Sequence, residues 1–154
     1  AKTLFPYTTL FRSVPSDRRS WFGNELRADA LARLSVGATT RIHITRGDFL
    51  AGAGRYPKEA TSITNPPWSL ALEWAEESLR RAAGVGVVAL HVPLATVETP
   101  ERVAFFRKHP ADLYPLEWRP NYDGRGTVSR AVAWMVWGPG RGGRWRPLTR
   151  LEAA

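Results

Sequence analysis

Residues 85–90 read Val-Gly-Val-Val-Ala-Leu, an apolar run with no polar face. A strand covered on both sides calls for such a run, and strands of that kind belong to parallel sheets layered with helices. The run is far shorter than the roughly 18 residues a membrane-crossing helix needs, and His91 and Pro93 follow at once. Around it, short β-like runs alternate with helical periodicity. The pattern predicts an α/β sheet rather than a bundle or a sandwich.

A first strand is expected over residues 20–25, entering a helix over 26–34 whose Leu26, Ala30, Leu31 and Leu34 share a face. A second is expected over 40–45, where Ile42 and Ile44 alternate with Arg41 and His43, ending at Gly47-Asp48-Phe49. A third, over 60–64, runs into Asn65-Pro66-Pro67-Trp68, where two prolines forbid continued ladder pairing. Ser69 is then read as the N-cap of a helix to Ala83, with Leu72, Ala75 and Leu79 on one stripe, Glu76 and Glu77 near Arg80 and Arg81, and Gly84 as C-cap. Residues 85–90 follow as the central parallel strand. A helix over 99–108 precedes two strands, 113–118 and 130–137, joined by a Gly-rich turn over 121–129 and predicted to pair antiparallel at a sheet edge. After Gly138 the chain reads as a loop, with Arg141, Arg144, Arg146 and Arg150 around Trp145.

The length of 154 residues fits one domain with a real core. With no cysteine, disulfides, thiolate nucleophiles and cysteine-ligated zinc drop out together, and a cytoplasmic setting is the default. His43, His91 and His109 are scattered, so neither metal-ligand spacing nor a Ser, His and Asp arrangement emerges. The formal charge of +8 comes from 22 basic against 14 acidic residues, a balance that suits a phosphate-rich partner or a solvated Arg-rich surface. Residues 4–13 resemble, residue for residue, the translation of a short-read sequencing adapter. On that reading the native sequence begins near Val14 and its N-terminus is missing. Setting aside Lys2 and Arg12 leaves a charge of +6.

Asn65-Pro66-Pro67-Trp68 is the stretch that carries chemistry. It resembles the catalytic loop of amino-methyltransferases, in which Asp, Asn or Ser precedes Pro-Pro and an aromatic. An exocyclic amine is a poor nucleophile because its lone pair is delocalised into the ring. The resemblance implies that Asn65 and the Pro66 carbonyl accept the amine hydrogens, that the prolines restrain the loop, and that Trp68 stacks on a planar target, which in DNA is flipped out of the duplex. By itself the stretch also reads as turn chemistry before a core Trp.

Glu25, Asp48 and Asn65 each follow a predicted strand, 23 and 17 residues apart, so a parallel sheet would bring them to one rim. The same resemblance assigns Glu25 to the ribose hydroxyls of S-adenosylmethionine and Asp48 to its adenine amine, with Phe49 against the ring. Either acid also reads as a cap or a loop residue. Trp118-Arg119-Pro120-Asn121-Tyr122, followed by Ala133-Trp134-Met135-Val136-Trp137, is similar to the late portion of phage-type adenine methyltransferases. Arg119 and Tyr122 are thereby implied at the target base, while alternation on a strand makes Trp134 and Trp137 packing residues.

The resemblance implies a Rossmann-like methyltransferase sheet, mostly parallel with an antiparallel edge. The family's first strand and Gly-rich loop have no counterpart before Glu25, so a weak hold on the methionine end of the cofactor is expected. The organisation expected is an adapter-derived segment at 1–13, a partial catalytic domain at 14–140 and a basic tail at 141–154. The function expected is methyl transfer to adenine N6 in DNA, with no metal and no membrane. Protein glutamine or RNA guanine are alternative substrates, and a non-catalytic nucleic-acid-binding module is the alternative role.

Overall fold

The computed structural model describes residues 21–25, 42–52, 61–121, 124 and 126–148. The chain divides into two units, Ala1–Tyr56 and Pro57–Ala154. In the first unit the two predicted strands form and pair in parallel, Trp21–Glu25 (β1) beside Ile42–Arg46 (β2), with Trp21 opposite Ile42 and Glu25 opposite Arg46. The adapter-like segment and the helix expected over 26–34 lie outside the described residues.

The second unit holds a four-stranded sheet in the order β3-β4-β6-β5. Its elements are β3 (Ser62–Thr64), a helix α1 (Ala71–Ala82), β4 (Val88–Pro93), a helix α2 (Pro100–Lys108), β5 (Asp112–Pro115) and β6 (Val132–Trp137). β3 pairs with β4 in parallel, whereas β4 with β6 and β6 with β5 are antiparallel. The fold is therefore α/β, with parallel pairing among the first four strands and an antiparallel side at the end, as expected. Among the described residues no helix is long and apolar enough to cross a membrane.

Three local expectations are corrected. Ser69 is not a cap, because a 3-10 turn, Trp68–Leu70, precedes α1, and the helix begins at Ala71 with no side-chain cap bond. The prolines cause this: Pro67 is held extended at φ −54°, ψ 124°, and its carbonyl accepts from Leu70 N–H at 2.9 Å, a tight turn that uses up Ser69. At the other end the left-handed C-cap falls on Ala83 (φ 48°), one residue before the expected Gly84. The Gly86 N–H then bonds back to Ala82 at 3.2 Å. Closing the helix in this way occupies residues 83–86, so the central strand starts at Val88 instead of Val85, which is 53% exposed. The strand consequently takes in His91 and Pro93, and its neighbours are one parallel and one antiparallel rather than both parallel.

Val88, Leu90 and Val92 of β4 lie on one sheet face with Met135 and Trp137, and the small stripe Ala71, Ala75 and Ala82 of α1 and Phe105 of α2 pack against them. Alanines on that stripe let α1 approach the sheet closely, and each fully buried aliphatic side chain stabilises by roughly 1.5–3 kcal/mol. α2 agrees with the helix expected over 99–108, and its start is fixed by Thr99 Oγ1 accepting from Arg102 N–H at 3.4 Å and by Pro100 at the first helical position.

Residues 144–148 do not run free as a loop. They lie parallel along the outer edge of β5, with Leu113 opposite Trp145 and Leu116 opposite Leu148. Arg146 N–H donates to Leu113 and Leu148 N–H to Pro115, both at 2.8 Å. This segment, the strap, covers an edge that β5 would otherwise leave unpaired.

Candidate active-site loop

Asn65 is the first residue past the carboxyl end of β3, where the chain must leave the sheet because Pro66 has no N–H to give the ladder. Pro66 is buried, Asn65 and Trp68 are half-buried, and Pro67 is exposed. The Trp68 indole N–H donates to Asn65 Oδ1 at 3.3 Å, so the 3-10 turn that displaces Ser69 also brings the ring back over the asparagine. That bond turns the amide oxygen to a set direction and uses one of its two lone pairs, leaving the other to accept. Among the described residues the Pro66 carbonyl accepts no hydrogen bond. Consecutive residues therefore offer two acceptors, and the first of them is oriented by the Trp68 indole.

The parallel register Thr64 opposite Leu90 puts His91 of β4 at the same rim as Asn65. His91 is buried, with its ring 4.9 Å from that of Trp134 on β6. Burial pushes the imidazole down to about 4, so it is neutral near pH 7. Its signal in the sequence is its place at the end of the apolar run, one step beyond Leu90.

In the first unit, Glu25 ends β1 opposite Arg46 in the ladder, and Asp48 follows β2 after Gly47, so both residues come to the carboxyl end of one parallel pair. Asp48 is exposed, and its Oδ1 accepts from Leu50 N–H at 2.9 Å, closing a turn on its own backbone. Among the described residues its other oxygen accepts nothing, which leaves an acceptor for an amine. Phe49 is buried at 6% exposure, so its ring supports the turn from within. These three residues belong to one unit and Asn65 to the other.

Arg119 is exposed and donates from Nη1 to the Ser129 carbonyl, tying the two ends of the 119–129 loop. Tyr122 lies outside the described residues. Trp137 is buried and donates its indole N–H to the His109 carbonyl at 2.9 Å, which makes it a packing residue, as expected. Two cavities of the second unit, about 570 and 210 Å³, lie away from Asn65. Both include Gly84, Lys108 and His109, at the end of the sheet where β4 begins.

A second polar centre had no signal in the local sequence. Asp112 is fully buried, and its carboxylate is held by Arg144 Nε (3.0 Å), Arg144 Nη2 (2.8 Å) and the backbone N–H groups of Gly142 (2.9 Å) and Arg144 (3.2 Å). The Arg144 guanidinium and these N–H groups hold it down to about 2 despite burial. Its partners are 30 and 32 residues away, so no motif could have announced it.

No family model matches the chain, and no curated protein matches it. Among solved structures it is similar to a predicted O-methyltransferase, protein Atu636 from Agrobacterium tumefaciens, at 19% identity over 96% of this chain and 85% of that one, with a TM-score of 0.46. A likeness of that depth decides neither fold nor reaction.

Proposed function

We propose that the chain transfers a methyl group from S-adenosylmethionine to an exocyclic amine, adenine N6 in DNA being the preferred target. The observation that carries this reading is the loop after β3, where Asn65 Oδ1 is oriented by the Trp68 indole and the Pro66 carbonyl is left to accept. When bound, the cofactor supplies an electrophilic methyl group on a sulfonium. Asn65 and the Pro66 carbonyl accept the two hydrogens of the amine, which favours a pyramidal nitrogen with its lone pair out of the ring plane. Methyl transfer would form the N–C bond as the C–S bond breaks, the cofactor leaving as its neutral thioether and the amine nitrogen taking the positive charge. The same two acceptors would stabilise that charge until one N–H proton passes to solvent water, and they require no reorganisation because proline and indole already hold them. Pro67 keeps the turn extended and Trp68 covers the face of the planar target.

Cofactor binding would fall to Glu25 and Asp48. The support is their place at one end of the β1–β2 pair and the acceptor oxygen of Asp48, while Phe49 backs the turn. Arg119 and Tyr122 are assigned to the target side. The charge of +8 favours nucleic acid over protein glutamine as the source of the amine.

Asn65→Ala should lower methyl transfer to DNA about a hundredfold, with S-adenosylmethionine binding unchanged by calorimetry. Asn65→Asp, which keeps an acceptor, should retain more activity than the alanine variant. Full turnover by Asn65→Ala would overturn the assignment.

A further inference from the structure

The strap places a positively charged edge on the second unit that methyl transfer at Asn65 does not use. Residues 138–148 contain Arg141, Arg144 and Arg146 and no acid. Asp112 takes both Nε and Nη2 of Arg144 and approaches Arg141 at 3.6 Å, so one buried carboxylate balances one of three guanidinium groups. Arg141 also reaches the Tyr114 hydroxyl at 3.2 Å and stays 35% exposed, and exposed Arg146 has no ion pair among the described residues. Between them Trp145 is 59% exposed, on a segment whose backbone is bonded to β5.

Immediately beside the strap, the cavity of about 210 Å³ is lined by Lys108, His109, Pro110, Trp137 and Arg141, among others. Exposed Lys108 has no ion pair among the described residues, whereas Arg80, on the neighbouring cavity, is bound to Glu77 at 2.7 Å. Pairing of Trp145 with Leu113 sets Trp145 on one face of the edge and Arg144 and Arg146 on the other, so a ligand lying along the edge meets both. A fixed, exposed indole next to the exposed Arg146, on an edge with more guanidinium groups than carboxylates to balance them, fits a chain carrying alternate flat bases and phosphates. Bases of a duplex are already stacked on one another, which leaves a single strand as the form able to use the indole.

We infer that the strap holds a stretch of single-stranded DNA, with phosphates at Lys108, Arg141 and Arg146 and a base stacked on Trp145. The inference deepens the proposed function by naming how DNA is held at a second place, and rests on DNA being the partner. In the strand order β3-β4-β6-β5-strap, four spacings of about 4.8 Å separate Asn65's strand from the strap. The contact is therefore several nucleotides from the target base, and it serves grip rather than chemistry.

The test is fluorescence anisotropy of a labelled oligothymidylate of about 12 nucleotides with the full chain, over a salt series and without methyl donor. Trp145→Ala should weaken binding about tenfold, Trp145→Phe should restore most of it, and Arg146→Gln should lower the salt slope by about 0.7. Inorganic polyphosphate, which has no bases, should be indifferent to Trp145. Unchanged oligonucleotide affinity in Trp145→Ala would overturn the inference. So would a concentration-dependent dimer abolished by Trp145→Ala, which would make the strap an interface between copies. Because the readout needs no turnover, a failure of methyl transfer at Asn65 stays distinguishable from a failure of the strap.

Discussion

On the proposed function, Trp68 would act through two parts of one side chain, its ring face and its indole N–H. The face can cover a planar target, while the N–H points Asn65 Oδ1 from 3.3 Å. The two roles separate by substitution. Trp68→Phe keeps a stacking face and loses one neutral hydrogen bond, worth about 1 kcal/mol, so kcat should fall about fivefold with KM little changed. Trp68→Ala loses the face as well, and its KM for DNA should rise about tenfold or more. Steady-state kinetics on both variants checks this; equal KM values would place Trp68 in packing alone. Asp48 shows a similar division, one carboxylate oxygen being spent on Leu50 N–H and the other left to accept.

At the scale of elements, the strap is held by a side chain outside its own segment. Asp112, at the start of β5, gathers the Gly142 and Arg144 N–H groups and the Arg144 guanidinium, and the backbone bonds of Arg146 and Leu148 to β5 follow from that register. Leaving those donors without their carboxylate should release the strap while the β4–β6 core stays paired. Asp112→Ala is therefore expected to speed amide exchange at Arg144, Arg146 and Leu148 well before that of Leu90 or Met135. Hydrogen exchange read by mass spectrometry decides it, and uniform protection in the variant would show that the strap is held without Asp112. α1 shows the same dependence of an end on its neighbour: the proline turn moves its start past Ser69, and its Ala83 cap moves the start of β4.

For the whole molecule, the titrating groups set how stability changes with pH. Burial holds His91 at about 4, so between 6.5 and 4 the unfolded chain takes up a proton that the folded one refuses. Stability is fully present above pH 6.5 and declines toward pH 4 by an amount of order 3 kcal/mol. Asp112, held at about 2 by Arg144, adds a further loss only as pH falls from 3.8 toward 2. Thermal melts from pH 7.5 to 4 should show Tm falling with pH, and His91→Gln should flatten that slope; an equal slope in the variant would show that another group sets it. Much of the architecture was legible in advance: the α/β class, the parallel start, the antiparallel final pair, the helix over 99–108 and the Asn65 loop at a strand end. These follow from periodicity and from backbone restrictions acting within a few residues, which linear order contains. Tertiary structure alone decided that His91 joins the rim beside Asn65 and that the basic tail becomes a strap on β5. Those outcomes turn on hydrogen-bond and charge partners brought together by folding, such as Asp112 and Arg144, 32 residues apart, and a local stretch of sequence cannot specify which distant group will meet it.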